Sequence, residues 1–238
     1  MEVPTAFTME HESITPSGSS LYDETVAEIV RVARDIAVDR TSGDGRIDSA
    51  MKEIPFLTEL QTRLLTAHST WEIAISPPRA SCDVLINGLR INLKLTDCKT
   101  SDNSVNKPAL FYSITGLTTY PYSSNWNDFL AKLSEAKAAN AIKRVRDRAS
   151  EYHYLVKNKL TGDVLLKPVF DIHTYVSNAS NDLQINWKNE FANRDYATTD
   201  DDYMKKVQSL LETIQTSVRE MIRRTKEFAE ADMSALLN

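Results

Sequence analysis

Asp83, Asn92 and Lys94 combine a carboxylate, a carboxamide and an ammonium group, and their spacing gathers all three on one side of a β-hairpin. The turn is signalled by Asn87-Gly88 between two alternating apolar runs, because a two-residue type I′ turn needs φ > 0 at both central positions. Such a turn fixes the register, with Ile86 facing Leu89, Leu85 facing Arg90, Val84 facing Ile91 and Asp83 facing Asn92. Opposed residues share a face, and so do residues two apart along a strand. One face therefore carries Val84, Ile86, Leu89, Ile91, Leu93 and Leu95, an apolar set that requires a core. The other carries Asp83, Arg90, Asn92, Lys94 and Thr96, with Leu85 as its apolar member. A hard divalent cation such as Mg²⁺ takes one or two carboxylates plus carbonyl oxygens and water, leaving positions for a phosphate. In this pattern Asp83 and Asn92 are the metal-ligand candidates, and Lys94 is the cation that orients a water and offsets developing negative charge. A surface hairpin with ordinary polar residues outside gives the same string.

These residues resemble the PD-(D/E)xK nucleases, and among them the type II restriction endonucleases. The motif is an Asp on one hairpin strand and Asp/Glu-x-Lys on the next; here Asp83 is followed by Asn92-Leu93-Lys94, with Cys82 at the loosely kept Pro and Asn92 in place of the second acid. Asp97-Cys98-Lys99 keeps the acid and is the reserve motif, but Asp97 and Lys99 have the opposite parity and face away from Asp83 unless a bulge intervenes. The run Asp102-Asn103, Lys107, Tyr112 and Thr115-Gly116, then Tyr154-Leu155-Val156 and Asn178-x-x-Asn181-x-Leu183-Gln184-Ile185, is similar to a branch of these enzymes that carries Asn-x-Lys. The resemblance implies an α/β (mixed α+β) fold with a central mixed sheet flanked by helices. It also implies Mg²⁺-dependent cleavage of double-stranded DNA by a homodimer, and a cognate DNA methyltransferase in the same system. Similar nucleases often place a further acid on a helix before the hairpin, for which Glu28 and Glu59 are the candidates.

Length and composition bound this reading. A chain of 238 residues buries one large core, and the absence of an internal linker favours a single domain over 20–238 behind a flexible arm at 1–19. The net charge of −5 opposes DNA binding unless positive charge is local. From Lys132 to Lys159 there are eight Lys/Arg against three acids, which would supply such a face. The two cysteines, Cys82 and Cys98, are not opposed in the hairpin, so a reducing compartment fits. No CxxC or close His pair suggests zinc, and no run approaches the roughly 18 apolar residues of a membrane span. The expectation is a cytoplasmic protein without a membrane partner.

In chain order, a capping box at Ser20 and Asp23 opens a helix to about Asp39, and Pro55 starts a second from Phe56 to His68. Trp71 to Ile75 alternates as a strand before the hairpin, and Phe111 to Thr115 reads as a short β segment. Ser123 to Trp126 caps a long helix to about Arg148, whose Lys137, Lys143, Arg144 and Arg148 would follow DNA backbone or form a solvated face. Lys107 is a phosphate-contact candidate in the loop after the hairpin, with Asn103 beside it. His153 to Val156 and Val164 to Val169 form a second hairpin. The carboxamides Asn178, Asn181 and Gln184 either read base edges in the major groove or serve turns. Thr199 and Asp202 cap a long C-terminal amphipathic helix. The leading expectation is a restriction endonuclease; the alternatives are an inactive or weak DNA-binding module, or a nicking or repair nuclease, on the same fold.

Overall fold

The computed structural model describes residues 18–38, 45–77, 80–99, 101–103, 106–118, 120, 125–180, 182–193 and 199–230. The elements in order are α1 (Gly18–Asp35), α2 (Gly45–Ala67), β1 (Ile73–Ile75), β2 (Val84–Ile86), β3 (Leu89–Thr96), β4 (Asp102–Asn103), α3 (Lys107–Thr115) and α4 (Trp126–Ala138). They continue with β5 (Tyr152–Asn158), β6 (Val164–Pro168), β7 (Tyr175–Asn178), β8 (Asp182–Ile185), α5 (Trp187–Ala192) and α6 (Asp200–Glu230).

The central sheet has the order β1-β2-β3-β5-β6. β1, β2 and β3 form an antiparallel meander, β5 joins β3 in parallel after the α3/α4 crossover, and β6 returns antiparallel to β5. This is the expected mixed sheet flanked by helices. Alternation along β2 and β3 sends Val84, Ile86, Leu89, Ile91, Leu93 and Leu95 into one core with Ile29, Val32 and Ala33 of α1 and Phe56, Leu57, Leu60 and Leu64 of α2. The opposite face, including Tyr152, Tyr154 and Val156, packs against α3, α4, α5 and α6 and a second sheet ordered β4-β8-β7. β5 is therefore covered on both sides and reads as a nearly continuous buried run, as a central parallel strand must.

Several boundaries depart from the sequence expectation. Residues 1–17 of the expected arm lie outside the described residues, whereas Gly18 and Ser19 already belong to α1. Helix α2 begins at Gly45, with Pro55 inside it rather than at its start. Phe111 to Thr115 is helical, not β. The Asn106 side chain accepts from the Ala109 N–H at 3.1 Å, Pro108 occupies the first turn, and Gly116 terminates the helix in a left-handed conformation at φ 75°. Helix α4 ends at Ala138, ten residues before the expected limit of Arg148, and the chain turns away through Asn140 at φ 54°. The C-terminal helix is as expected, with Thr199 Oγ1 accepting from the Asp202 N–H at 3.2 Å.

Candidate functional site

Asn87 and Gly88 adopt φ 48° and 81°, the two positive values a type I′ turn requires. The pairs Val84–Ile91, Leu85–Arg90 and Ile86–Leu89 follow in the expected register. Asp83 lies just before β2 and stays attached to β3 through its backbone N–H, which donates to Ile91 O at 2.9 Å. Its Oδ2 accepts from the Leu93 N–H at 2.7 Å and from Asn92 Nδ2 at 2.8 Å. Burial raises the Asp83 pKa, while the Leu93 hydrogen bond and the charge of Lys94 pull it back down. Lys94 is on the same strand face as Asn92, two residues on. Asp83, Asn92 and Lys94 are thus brought together by strand alternation and turn geometry alone.

An acid that sequence reasoning did not single out, Glu53, lies close enough to feel the charges of Lys94 and Asp83. It lies on α2, which packs against β1 and β3. Burial raises the Glu53 pKa, the nearby Lys94 lowers it, and the Asp83 carboxylate raises it. Sequence reasoning missed Glu53 because starting the helix at Pro55 removed the turn that carries it. A signal was present: continuing the Phe56/Leu57, Leu60, Leu64 stripe back by one turn places Glu53 on the face that meets the sheet. The two acids expected there are held elsewhere. Glu28 bonds Arg31 at 2.7 Å and His68 at 3.1 Å, and the Arg31 hydrogen bond above all keeps its pKa at about 2. Glu59 pairs with Arg63 at 2.7 Å on its own helix.

Asp97 and Lys99 do not join the site. Asp97 follows the last residue of β3 and pairs at 3.7 Å with Lys159 in the turn after β5, and Lys99 is exposed. Cys82 and Cys98 are both free thiols.

The expected DNA-contacting residues divide. Lys107 is the first residue of α3, with its ammonium 4.3 Å from the centre of the Trp126 ring. Lys143 is half-buried with its ammonium turned inward: its Nζ donates to Ser150 O at 3.0 Å and Ser150 Oγ at 2.9 Å, and burial holds its pKa down at about 8. Arg144 is exposed beyond the end of α4. Four of the eight basic residues, Lys143, Arg146, Lys157 and Lys159, are held by internal partners. Arg146 bridges the buried Glu151 and Asp171 at 2.7 and 2.9 Å, Lys157 Nζ caps the Ala33 and Arg34 carbonyls at the end of α1, and Lys159 meets Asp97. Asn178 is the last residue of β7 and serves the turn that follows, its Oδ1 accepting from the Ser180 N–H at 2.8 Å. Asn181 lies outside the described residues. Asn103 and Gln184 are paired across β4 and β8, an association not legible from their separation in sequence.

An apolar groove of about 760 Å³ runs between α4 and α6, and none of Glu53, Asp83, Asn92 or Lys94 lines it. Among the described residues no group of three or more His, Cys, Asp or Glu side chains is arranged to hold a metal ion. The Asp83 site offers two half-buried carboxylates, all-oxygen donors that suit a hard cation whose remaining positions go to water and phosphate. No family profile matches the chain, and no curated protein matches it at a significant level.

Proposed function

We propose that this protein is a type II restriction endonuclease that hydrolyses phosphodiester bonds in double-stranded DNA with Mg²⁺ as cofactor, acting as a homodimer alongside a cognate DNA methyltransferase. The reading rests on one observation: Asn92 Nδ2 and the Leu93 N–H hold the half-buried Asp83 carboxylate, with Lys94 and Glu53 near enough that the three groups feel one another's charge. Two carboxylates and one ammonium suit a site that must hold a cation and meet an anionic phosphodiester.

Asp83 and Glu53 would hold Mg²⁺, which when bound polarises a phosphoryl oxygen and acidifies a coordinated water. The Leu93 N–H and Asn92 Nδ2 fix Asp83 Oδ2, leaving the carboxylate oriented before any ligand arrives. Lys94 orients the attacking water and offsets the charge that builds on the phosphorus-bound oxygens. Water adds to phosphorus and the 3′-oxygen leaves with a proton, giving a 5′-phosphate and a 3′-hydroxyl. Asn103 and Gln184, paired on the small sheet, and the exposed Arg144 remain the candidate DNA contacts.

The second reading, a DNA-binding module that cuts weakly or not at all, is favoured by Asn92, since a carboxamide holds Mg²⁺ less strongly than a carboxylate. Incubation with plasmid DNA and Mg²⁺ separates the two. Discrete fragments that vanish with Asp83→Ala, Lys94→Ala and Glu53→Gln support the nuclease. Uncut DNA that is retained in a gel shift supports the binding module, and neither cutting nor retention rejects both.

A further inference from the structure

Half of the basic run is held by internal partners, so positive charge for a phosphodiester has to come from elsewhere, and the hairpin itself carries it. Arg90 lies on the same face of β3 as Asn92 and Lys94, about 7 Å before the first and about 13 Å before the second along the strand. Its guanidinium carbon sits 4.5 Å from the centre of the Tyr112 ring. That ring is well anchored, because α3 is tied down on either side of it: Asn106 Nδ2 donates to Ser81 O at 2.8 Å, and the buried Ser113 Oγ accepts from the Tyr152 N–H at 2.9 Å. Stacking on an aromatic face leaves the N–H donors of a guanidinium pointing outward in its own plane. Among the described residues the Arg90 guanidinium forms no ion pair or hydrogen bond, and none of its nitrogens is buried without a partner, so solvent reaches the fork. Lys94 likewise forms no ion pair among the described residues, although its charge is felt by Asp83 and Glu53.

We propose that Arg90 is a DNA-binding residue: held on the Tyr112 ring, its guanidinium takes a backbone phosphate of duplex DNA beside the one that meets Asp83 and Lys94. This rests on the DNA reading above and adds a cation to it that the basic run does not supply. Each strand of duplex DNA presents a charge about every 3.4 Å of helix axis, so cations spaced along β3 meet different phosphates of one backbone. Lys94 and Arg90 offset the two carboxylates Asp83 and Glu53, which leaves this face neutral on a chain of net charge −5, and positive once a divalent cation is bound. A phosphate accepts two parallel N–H donors from a guanidinium, and a side chain already oriented by a ring loses less freedom on binding than a free one. The competing account is a cation–π clamp that only fastens α3, a helix that already has two hydrogen-bonded ties.

The test is duplex binding by the full chain, followed by the anisotropy of a fluorescein-labelled duplex oligonucleotide with Ca²⁺ in place of Mg²⁺, over about 50–200 mM salt. Arg90→Gln should weaken binding about tenfold at the low-salt end and reduce the slope of log affinity against log salt by about 0.9, the value of one phosphate contact. Arg90→Lys keeps the charge but not the fork, and should recover the slope and only part of the affinity. Tyr112→Leu should weaken binding while Tyr112→Phe leaves it intact, because the ring and not its hydroxyl orients the guanidinium. Unchanged affinity and slope in Arg90→Gln overturn the proposal, and so does weaker binding with an unchanged slope, the mark of a clamp that only supports the fold. Tyr112→Leu binding like the unsubstituted chain, or Tyr112→Phe as weak as Tyr112→Leu, overturns the role of the ring. If the unsubstituted chain does not bind duplex DNA, the DNA reading falls and the Arg90 contact with it; if it binds while Arg90→Gln changes nothing, the contact alone falls. Binding without cutting rejects the nuclease and leaves the contact standing.

Discussion

Asn92→Asp isolates the central contact of the site, because it converts a donor 2.8 Å from Asp83 Oδ2 into a second carboxylate without changing shape. At an effective dielectric of about 20, two unit charges at that separation repel by about 6 kcal/mol. The pair avoids part of this by taking up a proton. For an aspartate with an ordinary pKa near 3.9, protonation at pH 7 costs about 4 kcal/mol, which caps the penalty. The variant should therefore be about 4 kcal/mol less stable than the unsubstituted chain at pH 7 without metal, and should recover toward pH 4. Mg²⁺ at ten times its dissociation constant should return about 1.4 kcal/mol. Urea unfolding at pH 7 and pH 4.5, with and without Mg²⁺, measures each quantity. Equal stability at pH 7 would refute the Asn92–Asp83 contact, and a stability loss that Mg²⁺ leaves untouched would refute the cation site.

Two further outcomes test the framework that carries the site. His153 is fully buried and neutral, its Nδ1–H donating to Glu151 O at 3.1 Å and its Nε2 accepting from the Tyr22 hydroxyl at 2.9 Å; burial lowers its pKa from 6.5 to about 4. The unfolded chain thus binds a proton that the native state refuses, and stability present above pH 6.5 should fall by about 3 kcal/mol as the pH drops to 4. Denaturant midpoints across that window should decline less in His153→Gln than in the unsubstituted chain. Arg146→Ala leaves Glu151 and Asp171 as buried carboxylates without their principal partner and should cost about 3–5 kcal/mol, read as a lowered urea midpoint at pH 7. A change below 1 kcal/mol would show that Arg146 is not what compensates the two buried carboxylates.

Residues whose placement follows from neighbours in sequence were legible, and residues whose role follows from packing were not. Asn87-Gly88 set the hairpin register, which put Asp83 against Asn92 and excluded Asp97 by parity. The same local logic failed at Pro55 and at Asn106-Lys107-Pro108. Proline is a helix-start signal, but α2 continues through one, and at Phe111 to Thr115 a good cap and a terminating glycine outweighed the β-branched and aromatic character. The basic run from Lys132 to Lys159 failed for a different reason. Counting charges cannot tell an exposed ammonium from one buried against a carbonyl, as Lys143 and Lys157 are.

The sequence by itself determined the hairpin, its apolar and polar faces, and the long C-terminal helix, because period-2 alternation, a φ > 0 turn and a 3.6-residue stripe are short-range properties. Only the tertiary structure decided that Glu53 lies within reach of the charges of Asp83 and Lys94, that Tyr152 stands on the same sheet face as Asn92, and that half of the basic run is held inside. Those facts depend on which helix packs on the sheet and which strand joins β3 in parallel, and hence on burial and charge between residues as far apart as Ala33 and Lys157, which no local spacing encodes.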